Sequence, residues 1–171
     1  RVKEAGHTVS SELPGCDVVV INTCGFIDSA KSEAIDNILM AGAMKAEGKI
    51  GKILVTGCLS QRYQGEITKE MPVDGLLGTG SYAEIVPAIE KLLEDRPVCN
   101  FGSIDTPEVE SRRILTTPKH YAYIKIAEGC DNKCAYCVIP SLRGKYRSRR
   151  MEDVLAEAQQ LADAGVKELI V

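Results

Sequence analysis

Apolar and polar positions alternate along the chain between short β-branched runs and longer periodic stretches. Arg1 to Gly6 has the look of a last helical turn ended by glycine. Asp17-Val18-Val19-Val20-Ile21-Asn22 reads as a strand buried on both faces, ending at Thr23-Cys24-Gly25. From Ser29 to Glu47 the residues Ala30, Ala34, Ile35, Ile38 and Leu39 recur at helical spacing, and Asp28 or Ser29 can cap the start. Lys52-Ile53-Leu54-Val55-Thr56 predicts a second buried strand, closed by Gly57-Cys58. A shorter helix follows over Gln61 to Glu70 and stops near Pro72, and Val73 to Leu77 reads as a third strand. Tyr82 to Glu94 carries Ile85, Ala88, Ile89, Leu92 and Leu93 on one helical face, with Pro87 implying a late start or a kink. Strands alternating with helices predict an α/β layer with a parallel sheet.

Beyond Arg96 the texture changes. Pro97, Pro107 and Pro118 punctuate a polar stretch without periodicity, which reads as a linker. Tyr121 to Ala127 alternates as a strand and leads into Gly129-Cys130. Glu152 to Ala164 places Val154, Leu155, Ala158, Leu161 and Ala162 on one helical face, Gly165 ends it, and Lys167 to Val171 is the next strand. The order strand, loop, helix, strand is a βαβ unit, the opening of a larger barrel or sheet. The chain starts on Arg1 and stops inside the apolar run Leu169-Ile170-Val171, so it reads as a piece of a longer protein.

Composition narrows the class. With 44% hydrophobic and 26% charged residues the 171-residue chain has a globular composition, not a disordered one. A net charge of −3 is not that of a protein coated on nucleic acid, although a local basic patch is compatible with it. The longest uncharged apolar run, Val18 to Ile27, is far short of the roughly 20 residues a membrane helix needs. A cytoplasmic protein with no membrane partner is expected.

The seven cysteines carry the chemistry: Cys16, Cys24, Cys58, Cys99, Cys130, Cys134 and Cys137. An odd count and no visible secretory signal argue against a disulfide framework. Cys130, Cys134 and Cys137 form C-x3-C-x2-C. Three thiolates with no fourth ligand nearby suit a 4Fe–4S cube with one iron left open, since each corner iron takes one thiolate. A structural zinc is the bland alternative, but it closes with four ligands, and the only histidines are His7 and His120. Cys24 and Cys58 each follow the carboxyl end of a predicted parallel strand, where ligands gather in open α/β sheets, so the two thiols are expected to converge. Cys16 sits at the other end of its strand, roughly 25 Å from Cys24 at the rise of an extended chain. Cys16 and Cys99 read as incidental thiols.

C-x3-C-x2-C with Tyr136 just before the third cysteine resembles the signature of radical S-adenosylmethionine (SAM) enzymes. The resemblance implies that SAM binds the open iron through its amino and carboxylate groups and is cleaved to a 5′-deoxyadenosyl radical. Tyr136 would then lie near the adenine; the alternative is a tyrosine packed over the loop. Together with Asn22-Thr23-Cys24 and Thr56-Gly57-Cys58, nearly the whole chain resembles the radical SAM methylthiotransferase family. That resemblance implies two 4Fe–4S clusters, the second on Cys24, Cys58 and a third cysteine upstream of Arg1. It also implies a parallel-sheet methylthiotransferase domain over 1–96, a linker over 97–119 and the start of a radical SAM barrel over 120–171.

Two branches of the family differ in substrate. Gly25-Phe26-Ile27-Asp28-Ser29-Ala30-Lys31, Lys125 to Asn132 and Ile139 to Arg149 look like the RimO-like branch, which modifies an aspartate of ribosomal protein S-twelve. The MiaB-like branch modifies a tRNA adenosine. The implied reaction inserts a methylthio group at an unactivated β-carbon. Such a carbon has no useful acidity for a base to exploit, so a radical must abstract its hydrogen. The expected partners are ribosomal protein S-twelve or the small ribosomal subunit and a reductant protein. The basic loop Arg143, Lys145, Arg147, Arg149 and Arg150 reads either as a solvated face or as a contact to the SAM carboxylate or ribosomal RNA. An electron carrier is the reading from a different class, and it would ordinarily complete all four iron ligands.

Overall fold

Four parallel strands, β1 Val18–Thr23, β2 Lys52–Gly57, β3 Gly75–Leu77 and β4 Val98–Asn100, lie side by side in that order. The structure is a computed structural model and describes residues 1–106, 115 and 117–171. β2 lies inside the sheet, and its alternating side chains feed two cores. Ile53 and Val55 join Val19, Ala34, Ile38, Ala41 and Leu76 under helix α1, Asp28–Ala46. Leu54 joins Leu77, Ala88, Ile89 and Leu92 under helix α4, Ile85–Leu93. Burying one side chain such as Ile53 contributes roughly 1.5–3 kcal/mol, which is why the β-branched run of β2 is apolar on both faces.

β1 departs from the expectation of burial on both faces. It lies at the edge of the described sheet, and Val20 is 42% exposed. Helix α1 follows its expected span, but the buried positions are Ala34, Ile38 and Ala41, and Leu39 is turned outward. The expected helix over 61–70 is two pieces, α2 Cys58–Arg62 and α3 Gln64–Glu70, broken at Tyr63, whose φ of −123° and ψ of 36° are not helical. A 3₁₀ turn, Tyr82–Glu84, precedes α4, so the late start implied by Pro87 is observed. Proline then falls in the first turn, where its missing N–H has no helical partner to lose. Leu93 is exposed, off the buried face formed by Ala88, Ile89 and Leu92. β4 lies within the stretch that reads as linker, and residues 107–114 and 116 of that stretch lie outside the described residues. Arg1 to Gly6 makes one turn, closed by Ala5 N donating to Arg1 O at 2.9 Å.

The second part holds β5 Tyr121–Tyr123 parallel to β8 Glu168–Ile170, with helix α6 Met151–Asp163 between them in sequence. This is the expected βαβ unit. The single strand expected over 121–127 is instead β5 followed by β6 Ala127–Glu128. β6 pairs antiparallel with β7 Arg147–Ser148. Between them runs the cysteine loop and a short helix, α5 Ile139–Arg143. Of the apolar face expected on α6, only Leu161 is buried, and Leu155 is 61% exposed. Among the described residues no helix is long and apolar enough to cross a membrane.

Candidate functional site

The register of β1 against β2 ends at Thr23 opposite Gly57, so Cys24 and Cys58 are the next residues on two paired strands. Thr23 Oγ1 donates to Thr56 O at 2.6 Å and ties the strand ends together. Two glycines let the backbones close further. A Cβ on Gly57 would lie 2.3 Å from Thr23 O, and one on Gly25 would lie 2.8 Å from the Cys58 carbonyl. Arg62 Nη1 donates to Gly25 O at 3.0 Å from the far end of α2. The two cysteines that were expected to converge therefore follow strand ends held in contact, with Cys58 buried and Cys24 exposed.

Cys130, Cys134 and Cys137 occupy the loop after β6, Cys134 exposed and the other two half-buried. Cys137 N donates to Cys134 O at 3.0 Å, a tight turn that doubles the loop back. Cys130 N donates to Gly144 O at 3.1 Å and Tyr146 N to Asp131 Oδ1 at 3.0 Å, which tie the loop's start to the strap after α5. Gly129 has φ +77° and room for no Cβ, which would meet Lys145 O at 2.0 Å. Tyr136 projects from the loop with 93% of its surface exposed. Cys16 and Cys99 stand apart with partners of their own, Glu12 O at 3.1 Å and Gln64 Nε2 at 3.2 Å.

The two cysteine groups meet through α5. Thr79 Oγ1, after β3, donates to Leu142 O at 2.6 Å. Lys145 N donates to the Oδ1 of Asp105, after β4, at 2.8 Å. Arg143 Nε donates to Cys58 Sγ at 3.2 Å, across 85 residues of sequence. Its Nη1 lies 3.5 Å from Glu128 Oε1. Burial works against the Arg143 charge, but Tyr82, Cys58 and Glu128 outweigh it and raise the guanidinium pKa above its ordinary value. Burial likewise pushes the Tyr82 phenol up. Sequence reasoning placed Arg143 in a basic loop and missed this contact, because no local pattern pairs it with a residue so distant. The loop itself divides: Arg147 and Arg149 turn inward to Asp105 and Glu157, and Lys145 and Arg150 remain exposed.

The donor chemistry fits iron–sulfur ligation. None of these cysteines is in a disulfide, and a cationic donor faces one of them. Among the described residues no three His, Cys, Asp or Glu side chains are close enough to share one metal ion. That geometry concerns a single ion such as zinc. In a cube each thiolate binds a different iron.

Two family models match the chain. Residues 1–78 match the Uncharacterized protein family UPF0004, and residues 124–171 match the Radical SAM superfamily. This pairing, an α/β domain leading into a C-x3-C-x2-C loop, defines a radical SAM protein, a class that implies SAM and iron–sulfur chemistry. The chain is similar to the ribosomal protein uS12 methylthiotransferase RimO of Thermoanaerobacter sp. (strain X514), 46% identical over 99% of this chain and 39% of that protein. It is 48% identical to the RimO of Pelotomaculum thermopropionicum over 99% of this chain and 39% of that protein. For the RimO of Clostridioides difficile (strain 630) the identity is 45%, over 97% of this chain and 38% of that protein. The chain spans about two fifths of the length of these curated relatives, 38–39%. Over this shared stretch it resembles the radical SAM methylthiotransferases and is RimO-like in sequence.

Proposed function

We propose that this chain serves methylthio transfer to ribosomal protein uS12, the activity that the names of its relatives carry, and that the acceptor is an aspartate, as the family resemblance implies. In this reading Cys130, Cys134 and Cys137 hold one 4Fe–4S cluster, and its open iron receives SAM with Tyr136 beside the adenine. Cys24 and Cys58 hold a second cluster together with a cysteine upstream of Arg1. The clusters and SAM supply the radical and the sulfur for the reaction. The chain's own residues set their spacing: the Thr23–Thr56 contact and the two glycines bring Cys24 and Cys58 to one edge, and α5 brings that edge to the cysteine loop. The observation that carries the proposal is this juxtaposition. Cys130 N is bonded to Gly144 O, and the residue before Gly144 reaches Cys58. Two cysteine groups linked through α5 suit one substrate carbon served first by a radical and then by a sulfur carrier. The substrate is the small ribosomal subunit or its free protein, a reductant protein supplies electrons, and the setting is the cytoplasm.

The test uses the full-length protein, reconstituted anaerobically. With SAM, reductant and a sulfur source it should add a methylthio mass to uS12, read by mass spectrometry, and leave prenylated tRNA unmodified. The reverse result would move the chain to the tRNA branch. Replacing Cys130, Cys134 and Cys137 by alanine should abolish SAM cleavage. Cys24→Ala or Cys58→Ala should leave SAM cleavage intact and stop methylthio transfer.

A further inference from the structure

We propose that Arg143 is a positioning residue that holds the Cys58 sulfur toward the 130–137 loop and raises the reduction potential of the cluster that Cys58 ligates. The proposal rests on the reading that Cys24 and Cys58 carry a cluster. Three observations support it. First, the contact is direct and charged, Nε to Sγ at 3.2 Å, with Cys58 buried. Second, the backbone on both sides of Arg143 is pinned. Leu142 is buried and its carbonyl accepts from Thr79 at 2.6 Å. Gly144 has φ 73° and ψ −161°, a region essentially restricted to glycine, and a Cβ there would meet Asp105 Oδ1 at 2.4 Å. With its neighbours held, the aim of the side chain follows from the fold. Third, Gly144 O also accepts from Cys130 N at 3.1 Å, so one short segment touches both cysteine groups. Only Glu128, 3.5 Å away, offsets the charge at close range among the ion pairs of the described residues.

A ligating thiolate carries negative charge, and a cluster gains more on reduction. A fixed cation at a ligand sulfur favours the reduced form, because charge and hydrogen bonds at the sulfurs set the potential. Removing the cation should therefore lower the potential, whereas a residue that only packs would leave it unmoved.

The experiment uses full-length protein carrying Cys130→Ala, Cys134→Ala and Cys137→Ala, which leaves only the second cluster, about four irons. Arg143→Gln, Arg143→Met and Arg143→Lys are added to it, and the midpoint potential is measured by titration followed by electron paramagnetic resonance. The Gln and Met proteins should shift to a more negative potential with an altered resonance signal, and Lys should recover part of the shift. Iron loss in both neutral variants with retention in Arg143→Lys supports the same assignment through the charge. Equal potentials in all the proteins, or equal iron loss in Arg143→Lys, would overturn it. An iron-free protein with Arg143 intact would overturn the cluster reading itself, and with it the role given to Arg143.

Discussion

Replacing Gly57 by alanine asks whether the closure of β1 on β2 is what places Cys58. Gly57 has φ 102° and ψ −161°, and a residue with a side chain is destabilised there by about 1–3 kcal/mol. The added Cβ would also lie 2.3 Å from Thr23 O and 2.7 Å from Asn22 Oδ1. Thr23 O is backbone of a paired strand, so relief requires the strand ends to part, costing about another 1–3 kcal/mol. The expected sum is about 4 kcal/mol, a large share of the roughly 5–15 kcal/mol that holds a domain folded. Two other glycines separate the contributions. Gly48 has φ +69° with nothing within 4 Å, so alanine there should cost only the backbone share, about 1–2 kcal/mol. Gly65 lies in α3 with open space and no positive φ, and alanine there should stabilise by about 0.5–1 kcal/mol. Hydrogen exchange of the β1 and β2 peptides in the full-length protein, read by mass spectrometry, reports the local opening free energy. A loss in Gly57→Ala no larger than that in Gly48→Ala would refute the argument that close strand contact positions Cys58.

The remaining predictions concern two carboxylates away from the cysteines. Asp74 accepts from Ile53 N at 2.8 Å and from Lys45 Nζ at 2.5 Å, so Asp74→Ala should leave a buried amide unpaired and cost about 1–3 kcal/mol in urea unfolding, with Asp74→Asn losing less. Asp95 is held below its ordinary pKa of about 3.9 by a hydrogen bond from Lys52 and by its charge. The stability it contributes is therefore present above that value and lost as pH falls through the lowered one. Asp95→Asn should lower the thermal midpoint slightly near neutral pH and match the parent in strong acid. Asparagine suits this comparison because it tolerates the φ of 58° found at Asp95.

Legibility followed length and locality. The runs 17–22 and 52–56 are long enough to announce strands, and the cysteines after them were placed correctly at the carboxyl edge. β4, β6 and β7 are two or three residues each, too short to show a period, so a stretch of apparent linker concealed β4. α5 begins at Ile139 with Pro140 beside it and spans five residues, and its proline reads as punctuation in the sequence. Helix faces were legible where a core lies against the helix, as for Ala88, Ile89 and Leu92 on α4. On α6 the apolar face is real in sequence, but only Leu161 of it is buried among the described residues. Amphipathic pattern reports what a helix can bury, and the neighbour that does the burying is a tertiary fact. Arg143 is the same lesson in polar form: its partner lies 85 residues away, and only the closed sheet edge brings the two together.

Topology explains why one short helix can reach so much. A parallel sheet sends every strand end to the same edge. Cys24 follows β1, Cys58 follows β2, Thr79 follows β3 and Asp105 follows β4. Three of these four contact α5 or the strap after it: Cys58 through Arg143, Thr79 through Leu142, and Asp105 through Lys145. In an antiparallel sheet, alternate strand ends would face opposite edges, and no single segment could touch all three. The buried β-branched run of β2 favours the parallel arrangement, because only a sheet covered on both faces hides it. The apolar pattern of the first half of the chain thus decides where the polar contacts of the second half can land. It follows that a change which moves α5, such as Gly144→Ala against Asp105, should disturb Cys58 without touching any residue of the first 100.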